Sequence, residues 1–150
     1  MYLCTIVTKQ KNLMKLIIIN GPNLNLLGKR EPEVYGGESF ESYFEQLKTL
    51  FPTVELSYFQ SNIEGEIVDK IHETGFSYDG IIINAGGYSH TSVAIRDALA
   101  AVSAPAVEVH ISNVFAREEF RHTLLLAPVC RACVTGFGLK GYAMAVENFL

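Results

Sequence analysis

The sequence predicts an α/β fold in which helices cover both faces of a parallel sheet, and two observations indicate it. Five short apolar runs alternate with amphipathic stretches along the 150 residues, which is the pattern of strands joined by crossover helices. The runs at 16–20, 80–84 and 106–110 are also almost continuously apolar, as expected of strands buried on both faces. Right-handed crossovers between parallel strands then place helices on both sides of the sheet.

Local signals place each element in order along the chain. The strands are expected at about 16–20, 54–60, 80–84, 106–110 and 129–136. The helices are expected at about 40–50, 63–73, 92–102 and 139–149, with a short helical segment near 117–121. Ser39 is a predicted N-cap, Pro52 ends the first helix and Gly75 terminates the second. Five such strands favour the flavodoxin-like order 2-1-3-4-5, a three-layer sandwich with strands one, three and four in the centre.

Composition restricts the possible classes of function. Sixteen acidic residues outnumber twelve Lys and Arg, and the net charge of −4 indicates neither nucleic-acid binding nor attraction to a membrane surface. No apolar run approaches the roughly 20 residues that span a bilayer. The first residues lack a basic leader and a cleavage site, so we expect a cytoplasmic protein. We expect residues 1–13 to form an extension that is free to be disordered, followed by a single domain at 14–150. Met14 is an alternative first residue of the protein.

The three cysteines, Cys4, Cys130 and Cys133, are too few for a disulfide scaffold. The last two form a C-x-x-C, but no second Cys or His pair follows at zinc-site spacing, and the motif lies late in the chain. We interpret these cysteines as incidental. His90 and His110 also lack a third metal ligand at a recognisable spacing, so no metal site is predicted.

Polar residues follow the three central strands where those strands end. Asn23, Asn84 and the pair Glu108 and His110 would meet at the rim where open α/β sheets bind ligands. Glu108 and His110 are two residues apart on a strand, so both point to one face. A carboxylate beside an imidazole can hold its tautomer and keep it protonated for acid catalysis. The alternative is a buried pair without a catalytic role, which the cost of burying ionisable groups makes less favourable.

The connection after the first strand extends to about residue 37, whereas strand-to-helix connections usually have about two to six residues. It carries Asn23, Arg30 and Tyr35. A phenol has a reference pKa near 10, so Tyr35 would act as a base only beside cations, for which Arg30, Arg117 and Arg121 are candidates. On physical grounds alone, the alternative remains that this segment is an ordinary surface loop in which Tyr35 only contributes packing.

Four segments of the chain read N-G-P-N-L-N-L-L-G at 20–28, R-E-P with Y-G at 30–36, N-A-G-G-Y-S-H-T-S at 84–92 and E-V-H-I-S-N at 108–113. Together they resemble type II 3-dehydroquinate dehydratases, and the resemblance extends over about 14–147. It implies a flavodoxin-like catalytic subunit that dehydrates 3-dehydroquinate to 3-dehydroshikimate in the shikimate pathway, without cofactor or metal. It also implies a homododecamer, a tetramer of trimers.

The resemblance also implies a role for each matching residue. Tyr35, as tyrosinate, would remove the proton beside the ketone to give an enolate, assisted by Arg30. Asn23 would hold a water against the enolate oxygen, and His110, oriented by Glu108, would protonate the departing hydroxyl in an anti elimination. The implied substrate-binding residues are Asn84, His90, Ile111, Ser112, Arg117, Arg121 and, from a neighbouring subunit, Asp97.

Two departures from the family pattern and two rival functions remain. Phe115 stands where many members carry His, which is expected to alter packing near Arg117, and the extension before Met14 is additional.

One rival is a flavin- or nucleotide-binding module, which would leave Tyr35, Arg30 and His110 without a shared purpose. The other is a catalytically inactive scaffold oligomer, but Tyr35 and His110 are both present.

Overall fold

The computed structural model describes residues 12–30, 33 and 37–150, and these form a five-stranded parallel sheet with helices on both faces. The strands are β1 Met14–Asn20, β2 Val54–Gln60, β3 Gly80–Asn84, β4 Ala106–His110 and β5 Ala132–Thr135. The helices of this part of the chain are α1 Phe40–Leu50, α2 Glu64–Thr74, α3 Val93–Ala101 and α4 Lys140–Glu147.

The strand order is β2-β1-β3-β4-β5, with every pair parallel. This confirms the predicted flavodoxin-like sheet, with β1, β3 and β4 in its centre. In the register, Asn20 at the end of β1 pairs with Gln60 of β2 and Asn84 of β3. Three strands therefore end in line, and the loops that follow them start from one edge of the sheet.

Alternation along β1 explains why both faces of the sheet are buried. Leu16 and Ile18 pack on the face covered by α1 and α4, whereas Ile17 and Ile19 pack on the face covered by α2 and α3. Successive strand residues point to opposite faces, so an unbroken apolar run fills two hydrophobic layers at once. The sheet is consequently the rigid middle layer of a three-layer sandwich.

Local signals at the helix ends act largely as predicted. Ser39 caps α1, because its hydroxyl oxygen accepts a hydrogen bond from the Ser42 N–H at 3.2 Å. Gly75 follows the end of α2 and donates its N–H to the Ile71 carbonyl at 2.7 Å. No helix in the described part of the chain is both long and apolar enough to cross a membrane.

Two predicted elements are wrong in extent or type. The last strand was expected at 129–136, but β5 begins only at Ala132, because Ala127–Val129 forms a 3₁₀ turn with Pro128 in its first turn. Gly136 then leaves the strand at a φ of 90°. The helical segment expected at 117–121 is instead two 3₁₀ turns, Val114–Ala116 and Glu119–Arg121. Of the expected extension, residues 1–11 lie outside the described residues.

Candidate active site

A pocket opens at the carboxyl edge of the sheet, between the loops that follow β1, β3 and β4. The structure brings most of the predicted site residues into its lining: Asn23, Arg30, Asn84, His90, His110, Ile111, Ser112, Arg117 and Arg121. The predicted convergence of these loops at one rim is therefore confirmed, because parallel strands that end in register deliver their following residues to the same place.

Close contact between the loops after β1 and β3 depends on Gly21. Its N–H donates a hydrogen bond to the Asn84 carbonyl at 2.7 Å. A Cβ on Gly21 would lie 2.5 Å from the carbonyl oxygen of Ala85, closer than any side chain can approach. Only glycine therefore permits the spacing that closes one wall of the pocket.

Asn23 begins the pocket wall in a left-handed backbone conformation, with φ at 70°. Asparagine adopts this conformation more readily than most residues. The Asn62 side chain holds it, because its Oδ1 accepts the Asn23 N–H at 3.0 Å. Gln60 Nε2 donates to the Gly21 carbonyl at 3.2 Å and lies 3.2 Å from the same Asn62 oxygen. The sequence analysis missed Gln60 and Asn62, although the polar end of β2 was the available signal.

A buried hydrogen-bond network lies beneath the pocket and centres on Tyr142 of α4. The Tyr142 hydroxyl donates to Asn20 Oδ1 at 2.8 Å and accepts from Asn84 Nδ2 at 2.9 Å. Asn84 Oδ1 in turn accepts the Gly86 N–H at 3.2 Å. Burial raises the pKa of Tyr142 far above its ordinary value, so the hydroxyl stays neutral and holds the Asn84 amide in one orientation. One Asn84 N–H remains available to a ligand.

The predicted carboxylate–imidazole pair is present. His110 Nε2 lies 2.8 Å from Glu108 Oε1, and Glu108 has no exposed surface. With Glu108 ionised, Nε2–H donates to the carboxylate, which leaves Nδ1 as the nitrogen available to a ligand of the pocket. The second carboxylate oxygen, Oε2, has no N–H or O–H donor among the described residues, and the Cys133 thiol is the weak donor beside the carboxylate. The pair can therefore orient an acid, and it also contains a poorly satisfied buried oxygen.

His90 forms the opposite side of the pocket from a different loop. Its Nδ1 lies 2.9 Å from the Thr123 carbonyl, and its ring is 6.1 Å from that of His110. Burial, together with the nearby His110 and Arg121, lowers the pKa of His90. At neutral pH the ring is therefore neutral, with Nδ1–H donating to the carbonyl and Nε2 free to accept a hydrogen bond from a hydroxyl group.

Cationic side chains give the pocket a positive lining. Arg117 Nη1 donates to Ser112 Oγ at 3.3 Å, and Arg121 Nε donates to Glu118 Oε2 at 2.7 Å. Arg30, in the connection after β1, lines the same pocket. Guanidinium groups are suited to carboxylate ligands, so the pocket favours a small anion.

Phe115 lies near Arg117, and its effect on packing there stays a prediction. It is 56% exposed, and its ring lies 5.8 Å from that of His122. His122 Nε2 is 3.1 Å from the Arg117 carbonyl, so Phe115 packs against a residue that supports the Arg117 backbone. Phe115 itself does not line the pocket.

Among the described predicted site residues, Glu108 and Asp97 do not line the pocket, and Glu108 lies against His110 instead. Tyr35 lies outside the described residues. Asp97 lies on α3 with its carboxylate 3.6 Å from Arg96 Nη1 and does not line the pocket of its own subunit. The prediction for Asp97 concerns a neighbouring subunit's site and stays a prediction.

Cys133 is a neighbour of the Glu108–His110 pair, and it was not among the predicted site residues. It pairs with Glu108 across β4 and β5, and one donor atom each of Glu108, His110 and Cys133 lies within 4.8 Å of the others. Partial desolvation of the thiol, then the Glu108 charge and a hydrogen bond to Glu108, raise the pKa of Cys133 to about 12, although the residue as a whole keeps exposed surface. Cys133 is therefore a third potential metal ligand beside Glu108 and His110 in space, whereas the sequence predicted no metal site from residue spacing. Sequence spacing could not reveal the neighbour, because it depends on strand register.

The fold and the pocket define an α/β protein of the flavodoxin-like class, with an oriented histidine and an arginine-rich ligand site at the carboxyl edge of its sheet. The family model Dehydroquinase class II matches residues 14–150. The chain therefore belongs to the class II dehydroquinase family.

Individual relatives cover nearly the whole chain. A 3-dehydroquinate dehydratase from Campylobacter jejuni is 58% identical over 139 residues, which are 91% of this chain and 87% of the relative. One from Exiguobacterium is 54% identical over 138 residues, covering 91% and 94%. The crystal structure of a type II dehydroquinase from Butyrivibrio crossotus superposes with a TM-score of 0.88 at 50% identity, covering 91% and 97%.

Proposed function

We propose that this chain is a type II 3-dehydroquinate dehydratase, a hydro-lyase that eliminates water from 3-dehydroquinate to give 3-dehydroshikimate in the shikimate pathway. The observation that supports this most strongly is the family match over 14–150, joined to the Glu108–His110 pair inside an arginine-lined pocket. The proposal includes a single catalytic domain at 14–150 and needs neither cofactor nor catalytic metal.

The chemistry of the reaction explains why these residue types are needed. A proton beside a ketone is only weakly acidic, so its removal needs a base and a polar environment that stabilises the enolate. The departing hydroxyl leaves as water and needs a proton from an acid. A positively lined pocket with hydrogen-bond donors would also bind the substrate carboxylate.

Tyr35 is the proposed base, acting as tyrosinate with Arg30 beside the reaction. A tyrosine needs roughly 1.4 kcal/mol of favourable interaction for each unit by which its pKa is lowered, and the guanidinium groups of Arg30 and Arg117 are the proposed source. The loop that carries Tyr35 would close over the substrate and exclude water.

Asn23 and His110 are proposed for the two ends of the elimination. Asn23 would hold a water against the enolate oxygen, and its backbone is already fixed by Asn62. His110 would protonate the departing hydroxyl through Nδ1, because Nε2 lies against Glu108 at 2.8 Å. The carboxylate of Glu108 stabilises the doubly protonated ring by charge. Base and acid would act on opposite faces of the substrate, in an anti elimination.

Substrate binding is proposed to use the remaining pocket residues. The carboxylate would accept from the Ile111 and Ser112 N–H groups and from the free Asn84 N–H. His90 and Arg121 would bind ring hydroxyls, and Arg117 would sit close to Tyr35. Asp97 would act in the site of a neighbouring subunit of a cytoplasmic dodecamer built from trimers.

The test measures near-ultraviolet absorbance when purified protein is mixed with 3-dehydroquinate, because the product enone absorbs where the substrate does not. We expect the absorbance to rise with chelator present and after borohydride treatment, since no metal and no Schiff base take part. A folded protein that gives no rise, but binds flavin or nucleotide, would contradict the proposal in favour of a binding module.

Tyr35→Phe tests the assigned base. We expect turnover to fall by several orders of magnitude while substrate binding, measured by calorimetry, is largely kept. Tyr78→Phe is the matched control, because its hydroxyl accepts a hydrogen bond from Ser57 Oγ at 3.2 Å and Tyr78 does not line the pocket formed by the described residues. Near-normal turnover in Tyr35→Phe would show that another group is the base.

A further inference from the structure

A cluster of three potential metal ligands lies directly behind the pocket histidine. Glu108 and His110 share a face of β4, and Cys133 stands opposite Glu108 on β5. Their donor atoms all lie within 4.8 Å of one another. Glu108 and His110 are buried, and Cys133 is exposed on the edge strand, so the cluster can be reached from the sheet edge.

A second observation singles out this cluster. Glu108 is completely buried, and its Oε2 atom has no N–H or O–H donor among the described residues; the thiol of Cys133 is its carboxylate's second hydrogen-bonding neighbour beside His110. A thiol is a weak donor, so this buried carboxylate oxygen is poorly compensated, and a cation beside it would remove that cost. The thiol, the imidazole and the carboxylate form a donor set typical of Zn²⁺.

We propose that Glu108, His110 and Cys133 bind a thiophilic divalent cation of the Zn²⁺ class, and that the bound cation inhibits the enzyme. Tetrahedral zinc with nitrogen, oxygen and sulfur ligands keeps its donor atoms about 3.3–3.6 Å apart, as follows from bond lengths of about 2.0–2.3 Å. The cluster needs side-chain shifts of about an ångström or less to reach that spacing, and the fourth position is left to water.

Binding exchanges protons for the metal at two ligands. The Cys133 S–H bond breaks as the metal–sulfur bond forms, and the proton goes to solvent. The hydrogen on the His110 nitrogen that faces Glu108 moves to the other ring nitrogen or, if that nitrogen is already protonated, to solvent, and the freed lone pair coordinates the metal. The ring then keeps at most one hydrogen, on its other nitrogen, and cannot become the doubly protonated acid. The cation also offsets the negative charge of Glu108, which then no longer stabilises a protonated histidine.

Metal binding is tested without any assay of catalysis. Purified protein competes with a chromophoric zinc indicator for Zn²⁺, and anaerobic titration with Co²⁺ is followed by absorption. We expect one equivalent of tightly held Zn²⁺ per chain and a sulfur-to-cobalt charge-transfer band. Both are expected to be lost in Cys133→Ala and kept in Cys130→Ala and Cys4→Ala, which remove the other two thiols. Circular dichroism shows that each variant is folded.

Inhibition is a separate readout and rests on the proposed function. We expect saturating Zn²⁺ to lower the turnover of the wild type at least tenfold, with full recovery on adding chelator. Cys133→Ala, compared with its own metal-free rate, is expected to resist the same Zn²⁺ concentration. Binding that survives in folded Cys133→Ala, or a wild type that does not compete with the indicator, would overturn the metal site. Loss of dehydratase activity alone would contradict the proposed function and leave the binding result intact.

Discussion

At the residue scale, the proposed chemistry depends on side chains whose hydrogen-bonding roles are set by burial. Glu108 is fully buried and holds Nε2 of His110 at 2.8 Å. The Thr123 carbonyl orients His90 in the same way, while the lowered pKa of His90 keeps that ring neutral. Two histidines of one pocket are therefore prepared for opposite tasks, proton donation by one and hydrogen-bond acceptance by the other.

Replacing each member of the Glu108–His110 pair should distinguish the role of His110 as the acid from the role of Glu108 in orienting it. His110→Ala removes the proposed acid, and we expect turnover to fall by about 10²–10⁴-fold, the usual contribution of general acid–base catalysis. Glu108→Gln keeps an acceptor for Nε2–H but removes the negative charge. We expect a smaller loss of turnover, because the ring keeps its orientation but loses the charge that stabilises its protonated form. A normal rate for His110→Ala would exclude it as the acid.

The neutral state of His90 predicts a pH effect on stability. Because its pKa is lowered in the folded protein, the unfolded chain binds a proton more readily than the native state. Stability from this group is therefore lost as pH falls below about 6.5, the reference value for histidine. We expect His90→Gln to show a smaller decrease in melting temperature than the wild type between pH 7 and pH 5. Equal decreases would contradict the neutral assignment.

At the scale of elements, α4 supports the site from below. Tyr142 links Asn20 of β1 to Asn84 of β3, so a helix far from the pocket opening fixes an amide that lines it. Tyr142→Phe leaves buried amide groups of both asparagines without their partner. We expect a loss of about 1–3 kcal/mol in the free energy of unfolding, the usual cost of an unsatisfied buried group. Urea denaturation at fixed protein concentration measures it, and unchanged stability would contradict the network.

The contact between the β1 and β3 loops makes a second prediction at this scale. Gly21→Ala would place a Cβ 2.5 Å from the Ala85 carbonyl oxygen, so the two loops must move apart. We expect lower stability, by about 1–3 kcal/mol as for other overpacked sites, and weaker substrate binding. Gly65→Ala is the control, because nothing lies within 4 Å of its added Cβ. Alanine there should stabilise α2 by about 0.5–1 kcal/mol.

The elements show why some of the fold could be predicted and some could not. Strands β2, β3 and β4 have the predicted bounds, because clear apolar runs between turn residues define a strand on both sides. The last strand is shorter than predicted, because the apolar residues 126–130 enter a turn that i to i+3 hydrogen bonds close. Apolar content alone does not distinguish a buried turn from a strand.

The candidate site shows the same limit of prediction from sequence at the level of individual side-chain contacts. Asn23, Asn84 and His110 could be placed together because they follow strands whose order was predictable. Cys133 and Tyr142 could not, since each acts through a contact between elements, and the polar end of β2 signals Asn62 without showing what it contacts. Strand register and helix orientation determine those contacts, and neither can be obtained from the spacing of residues along one chain.

At the scale of the whole molecule, the proposed dodecamer would complete the site with Asp97, which does not line its own pocket. Light scattering should give about 199 kDa, twelve times the 16.6 kDa chain. Asp97→Ala and His110→Ala proteins, each of low activity, should regain activity when unfolded, mixed and refolded together. Refolding each variant alone is the control. No regain in mixed oligomers of the right mass would contradict a contribution from the neighbouring subunit.

The hydrogen bond from Tyr142 to Asn20 joins residues 122 positions apart, and this has a consequence for synthesis on the ribosome. Chains are made from the N-terminus at about 5–20 residues per second, so β1 emerges long before its partner on α4. The amide of Asn84 can be locked in its final orientation only after Tyr142 has left the exit tunnel. A nascent chain whose α4 is still inside the ribosome therefore cannot yet hold the pocket in its final form.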